Sequence, residues 1–300
     1  MSATLKPEDF DAYWQQIDDE LAAVDAAPEL EHSALRTNDY STMSFVRLTS
    51  IGPYRLFAYL SIPHGEGPFP ALLNVPRYGS VNNPPHFDDR QRYVTMTLMH
   101  RGQRLADKPY AAAYPGLLTD GIEDPSTYIY RAILADCLRG ADYLLGRPEV
   151  QGRPAAVVGD DLALLTAARR SGFTAVHYNT MMFYRMLEAA RRTSAYPLEE
   201  ISEHLAFYQG SEERVARTVA YFDPLFHAPS IRARVLVNQG DPGTLSGPEF
   251  LEPLMTALGD RGERYIVSHE GGTDHDAADA WISAQLGSTP RPRLWPEAME

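Results

Sequence analysis

Cysteine is almost missing from this chain. Cys137 is the single one in 300 residues, which excludes an internal disulfide and any cysteine-based metal cluster and suits a reducing compartment. No apolar run reaches the roughly 18 residues that a membrane helix needs. The N-terminus, MSATLKPEDFDAYWQQIDDE, has no basic stretch leading into an apolar one, so it does not read as a secretory signal. Positive charge is also short: the net charge is -13 and no basic run exceeds Arg-Arg, which removes the electrostatic footprint of a nucleic-acid or anionic-membrane surface. These absences lead to the expectation of a cytoplasmic protein whose partner is a small molecule, with no nucleic acid and no membrane.

What remains is ordinary globular material, 44% hydrophobic and 22% charged, enough for a sizeable core. No internal stretch looks like a linker, so residues 1–300 are expected to form one α/β domain. Within residues 1–30, Phe10, Tyr13, Trp14, Ile17, Leu21 and Val24 are spaced by three or four, which predicts an amphipathic helix. Strands are expected at Ser44 to Thr49, Arg55 to Pro63, Pro70 to Val75 and Tyr93 to Met99, the first two joined as a hairpin through Ile51-Gly52-Pro53.

From Ser126 to Leu145 the apolar residues recur at helical spacing, with Asp124-Pro125 as entry signal and Gly146 as stop. Ala155 to Val158 then reads as a short buried strand that passes through Gly159-Asp160-Asp161 into a helix closed by Gly172. That order of strand, tight turn and helix is the framework of an α/β-hydrolase nucleophile elbow. Phe173 to Asn179 and Arg234 to Asn238 are expected as further buried strands. The Tyr-, Phe- and Met-rich helical stretch between them, about 181–217, is expected as a small cap. Glu263 to Ser268 and Ala277 to Leu286 are the last expected strand and helix, before an irregular tail, GSTPRPRLWPEAME.

Four stretches together resemble the acetyl xylan esterase and cephalosporin-C deacetylase family of carbohydrate esterases: His100-Arg101-Gly102-Gln103, GIEDPSTYIYRAILAD, TVAYFD with APSIRARVLVNQGD, and YIVSHE. They fall in the family's order, from FDAYW near the N-terminus to His269-Glu270. The resemblance implies an α/β-hydrolase fold, a mostly parallel central sheet with helices on both faces, no cofactor and a homo-oligomer. In that family a serine in Gly-x-Ser-x-Gly attacks an acetyl ester, a histidine takes its proton and an aspartate orients the histidine. His269 matches the histidine and Asp241 the aspartate, in the chain order nucleophile, acid, base. At the serine position stands Asp161, in Gly159-Asp160-Asp161-Leu162-Ala163, and no other Gly-x-Ser-x-Gly occurs.

The resemblance further assigns the oxyanion N-H groups to Tyr78 and Leu162, with Pro76-Arg77 where the family carries His-Gly. The stretch from Asp161 to Val176 is shorter than the family norm, so either the helix lost a turn or the elbow is rebuilt. A carboxylate attacking an ester would yield an anhydride, which argues against ordinary deacetylation and for a small-molecule binding pocket. Two alternatives stay open: an unconventional deacetylase, or a hydrolase that uses Asp161 as nucleophile on an alkyl carbon, with Asp241 and His269 activating water. Against both stands a structural reading, in which Asp161 pairs with Arg77 or caps the helix it opens. Arg101 and Gln103 are expected to anchor loops. Residues Tyr178 to Met186 are expected to pack in core or cap. Glu270, Asp274, His275, Asp276 and Asp279 fit no strong metal motif, and no metal is expected.

Overall fold

A computed structural model describes residues 5–180 and 182–292. The Met1 to Thr4 part of the N-terminal reading, Met181 at the start of the expected cap, and positions 293–300 of the expected irregular tail lie outside the described residues.

One nine-stranded sheet organises the chain, in the order β1-β2-β3-β5-β4-β6-β7-β8-β9. The strands are β1 (Glu29–His32), β2 (Ser41–Ser50), β3 (Tyr54–Pro63), β4 (Ala71–Asn74), β5 (Val94–Met99), β6 (Ala155–Gly159), β7 (Ala175–Tyr178), β8 (Arg234–Gln239) and β9 (Gly262–Ile266). β1, β2, β3 and β5 pair antiparallel. From β5 through β4, β6, β7, β8 to β9 every pairing is parallel. The expected mostly parallel α/β sheet is therefore present. The buried, near-continuous apolar strands β4 to β8 have the composition that a sheet covered on both faces requires.

The helices are α1 (Phe10–Ala22), α2 (Phe87–Arg92), α3 (Ile129–Leu145), α4 (Asp161–Arg169), α5 (Met186–Arg192), α6 (Glu199–Phe207), α7 (Glu212–Ala220), α8 (Pro224–His227), α9 (Pro248–Leu258) and α10 (Gly271–Leu286). On one face Ala71, Leu73, Val157, Val176 and Val235 meet the apolar sides of α1, α3, α4 and α9 in the main core. On the other, Leu72, Ala156 and Ala175 meet Ile282 and Leu286 of α10. The alternation of successive strand side chains between two faces produces both cores from the same short strands.

Several elements depart from the expectations, among them α8 and α9, which lie in stretches where no helix was expected. β1 is exposed at all four residues, so it carries no burial pattern to read. α2 is six residues long without a buried side chain, so it offers no apolar period to read. α10 begins at Gly271 rather than Ala277, its first turns polar and only half-buried.

Candidate functional site

The crossing from β6 to α4 sets the centre of the site. Gly159 is required there by space, since a Cβ would lie 2.5 Å from Cγ2 of Val75 on the neighbouring loop. Asp160 is the N-cap of α4, with φ -96° and ψ -150°, and its carboxylate accepts the Leu162 N-H at 3.4 Å. Among the described residues, the non-glycine positions of positive φ are Ala27, Leu105, Arg185 and His269, so the strained turn that lifts a nucleophile from a hydrolase sheet is not formed at Asp160 or Asp161. Leu162, expected as an oxyanion donor, directs its N-H to the Asp160 cap.

Asp161 points into the protein. It has no exposed surface, and it accepts hydrogen bonds from the Tyr178 hydroxyl at 2.8 Å and from the N-H groups of Met182 at 2.6 Å and Phe183 at 3.0 Å. Those donors come from β7 and the segment that follows it, so the carboxylate ties α4 to the entry of α5. Its charge acts on Asp160: burial, then the Asp161 charge, push the Asp160 carboxyl up to about 7, against the Leu162 N-H and Arg77, which pull it down.

Asp241 and His269 are brought together. Asp241 follows β8 in a loop closed by the Gly240 N-H on the Ser246 carbonyl at 2.9 Å and the Thr244 hydroxyl on the Asp241 carbonyl at 2.7 Å. His269 Nε2 lies 3.3 Å from Asp241 Oδ2, and the two side chains are 64% and 71% exposed. The His269 loop is ordered by Asp274, which accepts from the Tyr265 hydroxyl at 2.7 Å and the Ser268 N-H at 2.8 Å. Asp279 and Asp276 of the same acidic stretch pair with Arg92 at 2.6 Å and Arg291 at 3.2 Å.

The loop after β4 is held from several sides. Gln103 donates to the carbonyls of Arg77 at 3.0 Å and Gly79 at 2.6 Å, while Arg101 grips buried Asp136 through Nε at 2.9 Å and Nη2 at 2.6 Å. Arg101 and Gln103 thus anchor loops, as the sequence suggested. The Tyr78 hydroxyl donates to Glu200 of α6, whose other oxygen accepts the N-H groups of Gly116 at 2.8 Å and Leu118 at 3.3 Å. The Tyr78 ring sits 5.3 Å from Tyr114 and 5.4 Å from Tyr196. Burial and the neighbouring Glu200 carboxylate push the Tyr78 hydroxyl far up, so it remains a donor. Arg77 is exposed.

A cavity of about 230 Å³ opens beside this loop, lined by Thr180 beyond β7, by Tyr196, Pro197 and Leu198 ahead of α6, and by Leu245 and Ser246 of the Asp241 loop. It lies outside the carboxyl ends of the parallel strands, where open α/β sheets bind ligands. Glu200 and Asp160 were not singled out from the sequence. Each stands beside another carboxylate in the chain, Glu199 and Asp161 respectively, and only the tertiary contacts distinguish it from a surface carboxylate.

The acetyl xylan esterase (AXE1) family model matches residues 1–249. The chain belongs to the acetyl xylan esterase family. Among curated relatives, it is 24% identical over 254 residues to the acetyl esterase Axe7A of Xylanibacter ruminicola, covering 79% of this chain and 57% of that protein. The chain thus spans just over half the length of that relative. Among solved structures, the acetyl xylan esterase from Paenibacillus sp. R4 superposes with a TM-score of 0.81 at 21% identity, covering 96% of this chain and 97% of the other. Acetyl xylan esterase 1 from Thermoanaerobacterium sp. JW/SL YS485 gives 0.79 at 20% identity, with 95% of each chain covered. At these identities the likeness establishes the α/β-hydrolase fold. No helix among the described residues is long and apolar enough to cross a membrane.

Proposed function

We propose that this member of the acetyl xylan esterase family binds a small molecule at the carboxyl edge of its sheet and lacks ordinary deacetylase activity, with Asp161 serving the fold rather than attacking a substrate. The observation that carries this reading is the state of Asp161: a fully buried carboxylate whose oxygens accept from Tyr178, Met182 and Phe183 has no path to a ligand. A nucleophile must approach its target to about 3–3.5 Å, and this one would first have to break those bonds. The same burial counts against displacement at an alkyl carbon. The small cavity between Tyr196 and Ser246 supports ligand binding and is uncharged in its lining.

A second reading rests on the Asp241 and His269 pair, which is kept at 3.3 Å and exposed. An exposed His-Asp pair can take a proton from water, and hydrolysis of an activated acetyl ester by this route would make the chain an unconventional esterase. Hydrolysis of 4-nitrophenyl acetate and acetylated xylan by the wild type and by His269→Ala decides between them. Equal rates are expected; a rate that falls at least tenfold in the variant overturns the binding reading.

A further inference from the structure

Two buried carboxylates hold the segment that leads from β7 into α5, and neither belongs to the Asp241 and His269 pair. Asp161 takes the N-H groups of Met182 and Phe183. Asp223, the N-cap of α8 and 3% exposed, takes the Arg185 N-H on Oδ2 at 3.2 Å and the Leu225 N-H on Oδ1 at 3.0 Å. Arg185 is held in the left-handed region at φ 50°, a conformation that costs a non-glycine residue energy and persists where its surroundings enforce it. Asp223 therefore bridges the entry of α5 and the start of α8, with each of its oxygens used by a different segment.

We propose that Asp223 is a pH-responsive latch: ionised, it clamps Arg185 to α8, and protonated, it releases the 182–190 segment along the wall of the large groove beside it. The chemistry is the transfer of one proton from solvent to the carboxylate. The oxygen that gains the proton becomes a donor and, without its negative charge, a much weaker acceptor, so one of the two clamped amides is held far less strongly. Arg185 is the one whose release also relieves backbone strain. The groove, about 1240 Å³, runs between the segment from Leu5 to Asp9 and α5 and α7, and Arg185, Asp223 and Leu225 form part of its wall.

The charged and titratable groups facing Asp223 are consistent with this. Asp161 on α4 repels it, the Arg185 guanidinium attracts it, and the hydroxyls of Tyr178 on β7 and Tyr184 feel its charge. The other charged groups lining the groove are Lys6, Glu8 and Asp9, Glu188 and Arg191 of α5, and Glu212, Glu213 and Arg217 of α7. The Arg185 side chain itself is turned to Glu188 at 2.5 Å and to the Phe250 carbonyl at 3.2 Å, so it does not form the ion pair that would keep Asp223 charged at low pH. Burial first, then the Asp161 charge against the two N-H donors and Arg185, leaves the Asp223 carboxyl raised to about 7.

Backbone amide exchange of the full chain, followed by mass spectrometry from pH 5.5 to 8.5 and corrected for intrinsic exchange, tests the latch. Protection of a peptide spanning 182–190 should fall about tenfold between pH 8 and pH 6, the change that one titration centred near 7 produces. In Asp223→Asn it should be low and independent of pH, because an amide offers one acceptor oxygen for two N-H groups. Asp160→Asn, which removes the other carboxyl raised to about 7, should leave the transition in place. Should Asp223→Asn fail to fold, the side-chain carboxyl carbon resonance of Asp223 in the wild type must titrate between pH 6 and 8. Wild-type protection indifferent to pH, the same transition in Asp223→Asn, its loss in Asp160→Asn, or a flat Asp223 resonance overturns the proposal.

Discussion

At Asp160 a carboxyl is 5% exposed and accepts one N-H at 3.4 Å, an environment that penalises its charge. Its folded-state pKa, raised to about 7 from an ordinary 3.8, means that the folded chain binds this proton more tightly than the unfolded chain does. Stability from this group is therefore full below about pH 4, falls as pH rises toward 7, and stays low above it. Asp160→Asn is expected to stabilise by about 1–3 kcal/mol at pH 8 and by almost nothing at pH 4; urea denaturation at the two pH values checks it. Asp161 predicts the opposite sign. Asp161→Ser leaves Tyr178, Met182 and Phe183 short of acceptors in the core, so it should cost about 2–4 kcal/mol and produce no 4-nitrophenyl acetate hydrolysis. A gain of His269-dependent hydrolysis in that variant would return residue 161 to the reacting centre.

Among elements, α6 does more than cover the sheet. Through Glu200 it holds the loop after β4 by the Tyr78 hydroxyl and the loop before α3 by the N-H groups of Gly116 and Leu118. Glu200→Ala should destabilise by about 2–4 kcal/mol and raise amide exchange in residues 76–82 and 116–118 together, with the β6 and β8 amides unchanged. Glu200→Gln should recover part of the loss, since one amide oxygen still accepts. Exchange confined to α6 would mean that the helix is packed on these loops without controlling them. The α4 element was legible only in outline. The apolar run LALLTAA predicts a helix after a short strand, and the structure has one, but that its first turn is buried on every side, Asp161 included, follows from how β7 and Met182–Phe183 close over it.

For the whole molecule, α1 is the test of unity, because it is remote in sequence from the segments it packs on. Trp14 is fully buried, donates to the Tyr221 carbonyl at 3.2 Å and meets the Phe222 ring at 5.4 Å. Trp14→Ala should cost about 3–5 kcal/mol and lower the near- and far-ultraviolet circular dichroism midpoints together; a midpoint shift in one signal alone would make α1 a separately melting element. The sequence by itself determined the class of fold, since short β-branched strands between helices of apolar period leave few layered arrangements that bury both faces. It also determined the family, through stretches whose residues are specific without reference to their contacts, and the chain order of Asp241 and His269. Tertiary structure alone decided that Asp161 lies in the core while His269 lies in solvent, and that Asp160, Glu200 and Asp223 are buried rather than solvated. A carboxylate looks the same in sequence whichever way it points, and its chemistry depends on the donors, charges and water around it, which come from segments far away along the chain.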